Sequence, residues 1–105
     1  MGATLVVVIF PVRGQVYWPL VQRLFPASRE DDPDWRSNLV GQFSRENGIR
    51  YVDLTPPLRE AGARGLPVYF RADRWHLTPL GNRLAASAVL TYLRAEGLLP
   101  HDAAR

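Results

Sequence analysis

Cysteine is missing from the chain, which excludes disulfides, thiolate metal sites and a cysteine nucleophile together and leaves the redox compartment unread. Lysine is missing too: all 13 basic residues are arginine, and against 10 acidic residues they leave a net charge of +3. These arginines are scattered and form no basic run. Sequence-independent binding to a phosphate backbone needs several aligned cations, so no nucleic-acid partner is expected and the usage reads as biased coding composition. No apolar run approaches the roughly 20 residues of a membrane-spanning helix. The longest stops at Phe10, without the basic flank and small-residue cleavage site of a signal peptide. As it stands the chain therefore reads as cytoplasmic, while a longer parent leaves the periplasm and secretion open. A glycine-rich phosphate loop is also lacking, because Val12-Arg-Gly-Gln-Val16 has one glycine and no lysine.

What is present is an ordinary globular composition, 47% hydrophobic and 22% charged over 105 residues, which is enough for a single domain spanning 1–105. Leu5 to Phe10 is a β-branched run ended by Pro11, the pattern of a strand buried on both faces of a parallel sheet. The segment from Pro11 to Pro19 reads as a loop leaving the carboxyl end of that strand, where open α/β sheets place their sites. Its Tyr17 and Trp18 either line a substrate cleft or cover the sheet edge, the commoner use of aromatics. A helical turn is expected over Leu20 to Phe25. Asp34 reads as an N-cap, and Trp35, Leu39, Val40 and Phe43 recur at helical spacing before the stop at Asn47-Gly48. Ile49 to Leu54 is the second strand, Asp53 a turn or cap residue with Thr55, and Thr55-Pro-Pro opens a helix to about Ala63. Val68-Tyr-Phe70 is expected to pair briefly with the sheet. The predicted fold is α/β, a parallel sheet with flanking helices.

The rest serves as scaffold for the stretch from Pro67 to Ala86. Thr78 and Pro79 read as the N-cap and first residue of a long helix ending near Gly97, with Leu80, Leu84 and Ala88 on one face. Just before that start lie Asp73 and His76, a carboxylate and an imidazole three positions apart. Alone, such a pair arises by chance in roughly one chain in ten of this composition, so its context carries the weight. His76, Asp73 and the distant His101 offer no third clustered donor, and no metal or cofactor is expected. His101 and the residues after it read as a solvated, frayed end.

Asp73-Arg-Trp-His76, then Leu77-Thr-Pro-Leu-Gly81 and a helix carrying Leu84, Ala85 and Ala86, resembles the last block of the SGNH/GDSL hydrolases, small α/β esterases and acyl-transfer enzymes. The strands ending in Ile9-Phe10-Pro11 and Val52-Asp53-Leu54 resemble the family's penultimate strands. The Tyr69-Phe70 lead-in resembles the branch of polysaccharide O-acetyltransferase-like proteins. The resemblance implies the carboxyl-terminal half of such a domain, a partial flavodoxin-like three-layer fold. It also implies ester hydrolysis or O-acyl transfer by a Ser-His-Asp mechanism, on a small acyl ester or an O-acetylated carbohydrate. On that reading His76 is the general base and Asp73 its orienter, Leu77 and Trp75 pack the loop against the sheet, Trp75 also joins Tyr17 and Trp18 at the substrate, and Gly81 lets the helix approach closely.

The family's Gly-Asp-Ser nucleophile block and its Gly-x-Asn-Asp oxyanion block do not occur here, and Ser28, Ser37, Ser44 and Ser87 lack that context. The chain then reads as part of a longer enzyme, as one half of a site completed by another chain, or as a shortened relative that only binds. The alternative from a different class is a non-catalytic α/β binding or assembly module. A sheet without its remaining strands exposes an edge beside Leu5 to Phe10, and exposed edges seek partners. Sedimentation at micromolar concentration is therefore expected to show self-association or pairing with the missing half; a clean monomer counts against it.

Overall fold

β1 (Val6–Ile9) and β2 (Arg50–Asp53) run parallel, in register from Val6↔Arg50 to Ile9↔Asp53. A parallel pair cannot be joined by a tight turn, so the intervening chain crosses over through helices. The computed structural model describes residues 2–27, 31–73 and 75–100. The expectations for Ser28, His101 and the end after it lie outside these residues. Between the strands come α1 (Arg13–Val16), α2 (Trp18–Leu24) and α3 (Trp35–Glu46); after them come α4 (Thr55–Ala63) and α5 (Pro79–Ala95). This is the expected α/β arrangement, a two-stranded parallel sheet with flanking helices.

The core is where β2 runs into α4 and α5. Val16, Leu54, Leu58, Ala61, Val68, Tyr69 and Ala85 form one buried cluster, with Val8, Val52, Leu77 and Leu84 packed against it. Asp53 does turn the chain into α4, its carboxylate accepting from the Thr55 N–H at 2.9 Å. Gly48 at φ 65° and Gly97 at φ 69° close α3 and α5 in the left-handed conformation that glycine adopts without steric cost.

Five local expectations are corrected. β1 is not buried on both faces: Val6, Val7 and Val8 are half-buried and only Ile9 is buried, because among the described residues no strand lies on its other edge. The segment after Pro11 is not all loop, since Gln15 accepts from the Val12 N–H at 2.9 Å and satisfies a donor at the start of the helical turn α1. Asp34 occupies the N-cap position without capping. Its carboxylate instead takes a two-pronged grip from Arg59 (2.7 and 3.0 Å) and a bond from Gln15 at 3.0 Å. The Arg59 guanidinium, with help from Gln15, holds that carboxyl below the usual range against a raising effect of burial. Val68-Tyr-Phe70 pairs not with the sheet but with the chain's own return, through an antiparallel bridge from Tyr69 to Leu77.

The fifth correction concerns α3, whose bounds match the expected ones but whose inner face does not. Trp35, Leu39, Val40 and Phe43 are 52, 58, 42 and 58% exposed, and Ser37, Gly41 and Ser44 are buried instead. The helix comes so near β2 that a Cβ on Gly41 would sit 3.2 Å from the Tyr51 ring. Only small side chains fit that contact, so the apolar stripe is left facing water.

Of the glycines, Gly81 makes the tightest approach to its neighbours. A Cβ there would lie 2.2 Å from the Val68 carbonyl oxygen and 3.2 Å from Leu77. A backbone carbonyl cannot swing aside as a flexible side chain does, so Gly81→Ala forces α5 off its seat. Overpacking of this kind costs about 1–3 kcal/mol. Each kcal/mol lowers Tm by roughly 4–8 °C in a domain near this size. Thermal unfolding of Gly81→Ala is expected to show that loss, and an unchanged Tm would refute the close contact.

Candidate active site

α5 starts cleanly, and its start fixes the loop before it. Pro79 sits in the first turn, where its missing N–H costs nothing, and the Thr78 hydroxyl accepts from the Gly81 N–H at 3.0 Å. The same hydroxyl donates back to the Pro67 carbonyl at 2.5 Å, and the Thr78 N–H donates to Val68 O at 2.9 Å. With Phe70 N–H donating to His76 O at 3.3 Å, these bonds close a narrow neck at the base of residues 69–77. Asp73 and His76 lie within the loop so formed.

One carboxylate serves two donors there. Asp73 Oδ1 accepts from the Trp75 N–H at 2.8 Å, a local turn that holds the side chain, while Oδ2 meets His76 Nδ1 in a short contact. The Trp75 N–H first, and the imidazole second, hold the Asp73 carboxyl below the usual carboxylate range. With Nδ1–H turned to Asp73, Nε2 is the ring's basic nitrogen, and among the described residues it has no hydrogen-bond partner. The pair is open to water: the His76 side chain is 76% exposed and that of Asp73 40%.

His76 borders a hollow of about 420 Å³ shared with Trp75, Leu77, Tyr69, Asn82 and Phe10-Pro11-Val12 at the exit of β1. Sequence reasoning missed Tyr69 and Asn82. The available signals were the position of Asn82 one turn into α5 and that of Tyr69 opposite Leu77 across the neck. Tyr69 is buried, donates its hydroxyl to Pro11 O, and has its acidity weakened by that burial. Among the described residues no serine lines this hollow. Ser37 and Ser44 are buried in α3, and Ser87 is exposed on α5.

The structure brings three of the sequence-derived site residues together, Asp73, Trp75 and His76, and places two elsewhere. Trp75 does not pack the loop against the sheet: it is 70% exposed at the rim of the hollow, and Leu77 alone packs inward. Tyr17 does not line the hollow of His76. Its hydroxyl accepts from the Val68 N–H at 2.9 Å and the Tyr69 N–H at 3.3 Å, and reaches Leu66 O at 3.3 Å. Trp18 begins α2, half-buried, and is also outside that hollow.

A two-stranded parallel sheet with flanking helices is consistent with part of an SGNH-hydrolase-like fold. The family model for the SGNH hydrolase-like domain of the acetyltransferase AlgX matches residues 1–105, and the chain belongs to that family. It is similar to the probable alginate O-acetylase AlgJ of Pseudomonas putida, 35% identical over 104 residues, which is 96% of this chain and 25% of the relative. The chain thus spans about a quarter of that curated relative's length. No solved structure matches it.

Because Asp73 is held as an anion, its contribution to the loop is in place above the ordinary carboxylate pKa and fades as pH falls through the lowered one. A carbon-detected NMR titration should place Asp73 below 3.8, its ordinary value. In His76→Ala it should rise but stay below 3.8, since the Trp75 N–H, the larger cause, remains. A full return to the ordinary value in that variant would show that the imidazole alone held the anion.

Proposed function

We propose that this chain supplies the acid–base relay of an O-acyl transfer or ester-hydrolysis site, with His76 as general base and Asp73 as its orienter. It serves as the carboxyl-terminal part of the domain, and the serine and the oxyanion donors come from polypeptide outside residues 1–105. The observation that carries the reading is the pairing of His76 Nδ1 with Asp73 while Nε2, beside an open hollow, has no partner among the described residues. In such a site Nε2 takes the serine proton as the hydroxyl oxygen bonds to the acyl carbon, then returns it to the departing alcohol. A second alcohol or water repeats the exchange in reverse and frees the serine. Asp73 keeps the ring in the right tautomer and steadies the imidazolium that forms.

The relative AlgJ is a probable alginate O-acetylase, which supports an acetyl group as the acyl unit and a polysaccharide hydroxyl as the acceptor. Each absent oxyanion donor is worth about 3 kcal/mol in the transition state, so the chain by itself is not a competent catalyst. Family membership and the relay geometry support the catalytic reading over a binding or assembly module, which has no use for an oriented, open imidazole.

The test is fluorophosphonate labelling, paired with release of acetate from an activated acetyl ester. The chain alone should show neither; mixed with the polypeptide that carries the Gly-Asp-Ser block, it should show both. His76→Ala should abolish the labelling, and Asp73→Asn should lower turnover by about 10⁴-fold. Labelling that survives His76→Ala sinks the relay, and none in the reconstituted mixture favours the non-catalytic module.

A further inference from the structure

α3 carries an apolar face that the relay does not use. Trp35, Leu39 and Phe43 recur every four residues along it and are 52, 58 and 58% exposed, while Ser37, Gly41 and Ser44 form the face that the fold buries. With a Cβ on Gly41 only 3.2 Å from the Tyr51 ring, that narrow face is committed to β2 and the helix cannot roll to bury the other. Single exposed apolar residues are ordinary on a surface, but a row of large ones on one helix face marks a place of contact.

The charges at its ends say what fits there. Arg36, Leu39, Phe43 and Glu46 follow one another at intervals of three, four and three, the heptad spacing of a seam between two helices, and all four are exposed. The row is its own complement when reversed: the cation stands three residues before Leu39, and the anion three residues after Phe43. When two copies of α3 lie antiparallel about the level of Gly41, Arg36 of each copy faces Glu46 of the other and Leu39 faces Phe43, so every position meets a suitable partner twice. A parallel pair would set arginine against arginine, glutamate against glutamate, and two helix dipoles side by side in the same sense.

Both charges are available for this. Among the described residues Arg36 makes no hydrogen bond or ion pair and lies over the Trp35 ring at 4.5 Å, and Glu46 accepts one bond, from Gln42 at 3.0 Å, which leaves most of its acceptor capacity. We propose that α3 is the surface through which two copies of this chain pair, antiparallel, with Leu39 and Phe43 at the centre and Arg36 and Glu46 closing each end. None of these residues lines the hollow of His76, so the pairing does not depend on the acyl-transfer reading. Two 12-residue helices make a small interface, and the dissociation constant is expected on the order of 10 μM or weaker.

Sedimentation equilibrium of the 105-residue chain, over concentrations spanning that value, should show a monomer–dimer equilibrium. Leu39→Gln with Phe43→Gln should weaken it about tenfold or more. Arg36→Glu alone and Glu46→Arg alone should each also weaken it about tenfold, because each homodimer then sets like charges together at both ends. Mixing these two single variants should restore dimers, since in the mixed pair glutamate again faces arginine at both ends. All four side chains are exposed, so folding is preserved, and circular dichroism verifies it. A monomer throughout overturns the proposal and gives the face to another polypeptide. A dimer indifferent to Leu39→Gln, Phe43→Gln overturns it too, placing the contact elsewhere, as along the free edge of β1, and failure of the mixture to restore dimers overturns the antiparallel pairing.

Discussion

The carbonyl of Val68 is the point on which the site depends. It accepts the Thr78 N–H at 2.9 Å and lies 3.1 Å from the Thr78 hydroxyl, and α5 begins so close to it that position 81 has room only for hydrogen. Every other feature of the relay loop is downstream of that contact. Once residues 67–68 and 78–81 are locked together, the nine positions between them, 69–77, must fold back on themselves, and the Tyr69–Leu77 bridge closes the base. Asp73 and His76 are then separated by a fixed short path instead of a free chain. The effective concentration of one side chain at the other is set by the neck, and a loop closed at its base loses less entropy when its tip is ordered.

That economy explains how so exposed a pair is ordered at all. An ion pair in open water contributes little, since solvent screens it and two side chains must be immobilised to form it. Here the carboxylate is already held by the Trp75 N–H, a contact within its own turn, before the imidazole arrives. His76 therefore meets a pre-placed acceptor, and the cost of ordering falls on the backbone, where α5 and the neck have already met it. An exposed imidazole stays free to exchange protons, which a buried one is not.

Much of this was legible in the residues, and the failures share a cause. Thr78-Pro79 at the start of α5, Asn47-Gly48 at the end of α3 and Asp53 before α4 are local chemistry, and each is found where the sequence pattern places it. What could not be read locally was what each element meets. Trp35, Leu39, Val40 and Phe43 have the spacing of a buried stripe, but the helix meets Tyr51 through Gly41, and it is Ser37 and Ser44 that are buried with it. Asp34 has the chemistry of a cap, yet Arg59, far along the chain, offers a charged fork that outcompetes a backbone N–H. Tyr17 reads either as a cleft residue or as cover for the sheet edge, and neither reading names the partners its hydroxyl finds far along the chain, the N–H groups of Val68 and Tyr69. Periodicity names a face; only the neighbour decides whether that face turns inward.

The two tyrosines connect the sheet to the chemistry. Tyr69 donates to the carbonyl of Pro11, just past the end of β1, and Tyr17, just past α1, accepts from the backbone on either side of the Val68–Tyr69 peptide. The exit of the first strand and the base of the relay loop are thus held to each other by side chains, not by a shared sheet, which fits a chain whose sheet has only two strands among the described residues. The consequence is positional: Phe10, Pro11 and Val12 become a wall of the hollow that His76 borders. A parallel sheet delivers the carboxyl ends of its strands to one side. Among the described residues, the edge of β1 without a neighbour and the Nε2 without a partner thus lie at the same end of the sheet, which is where the proposed relay would meet its substrate.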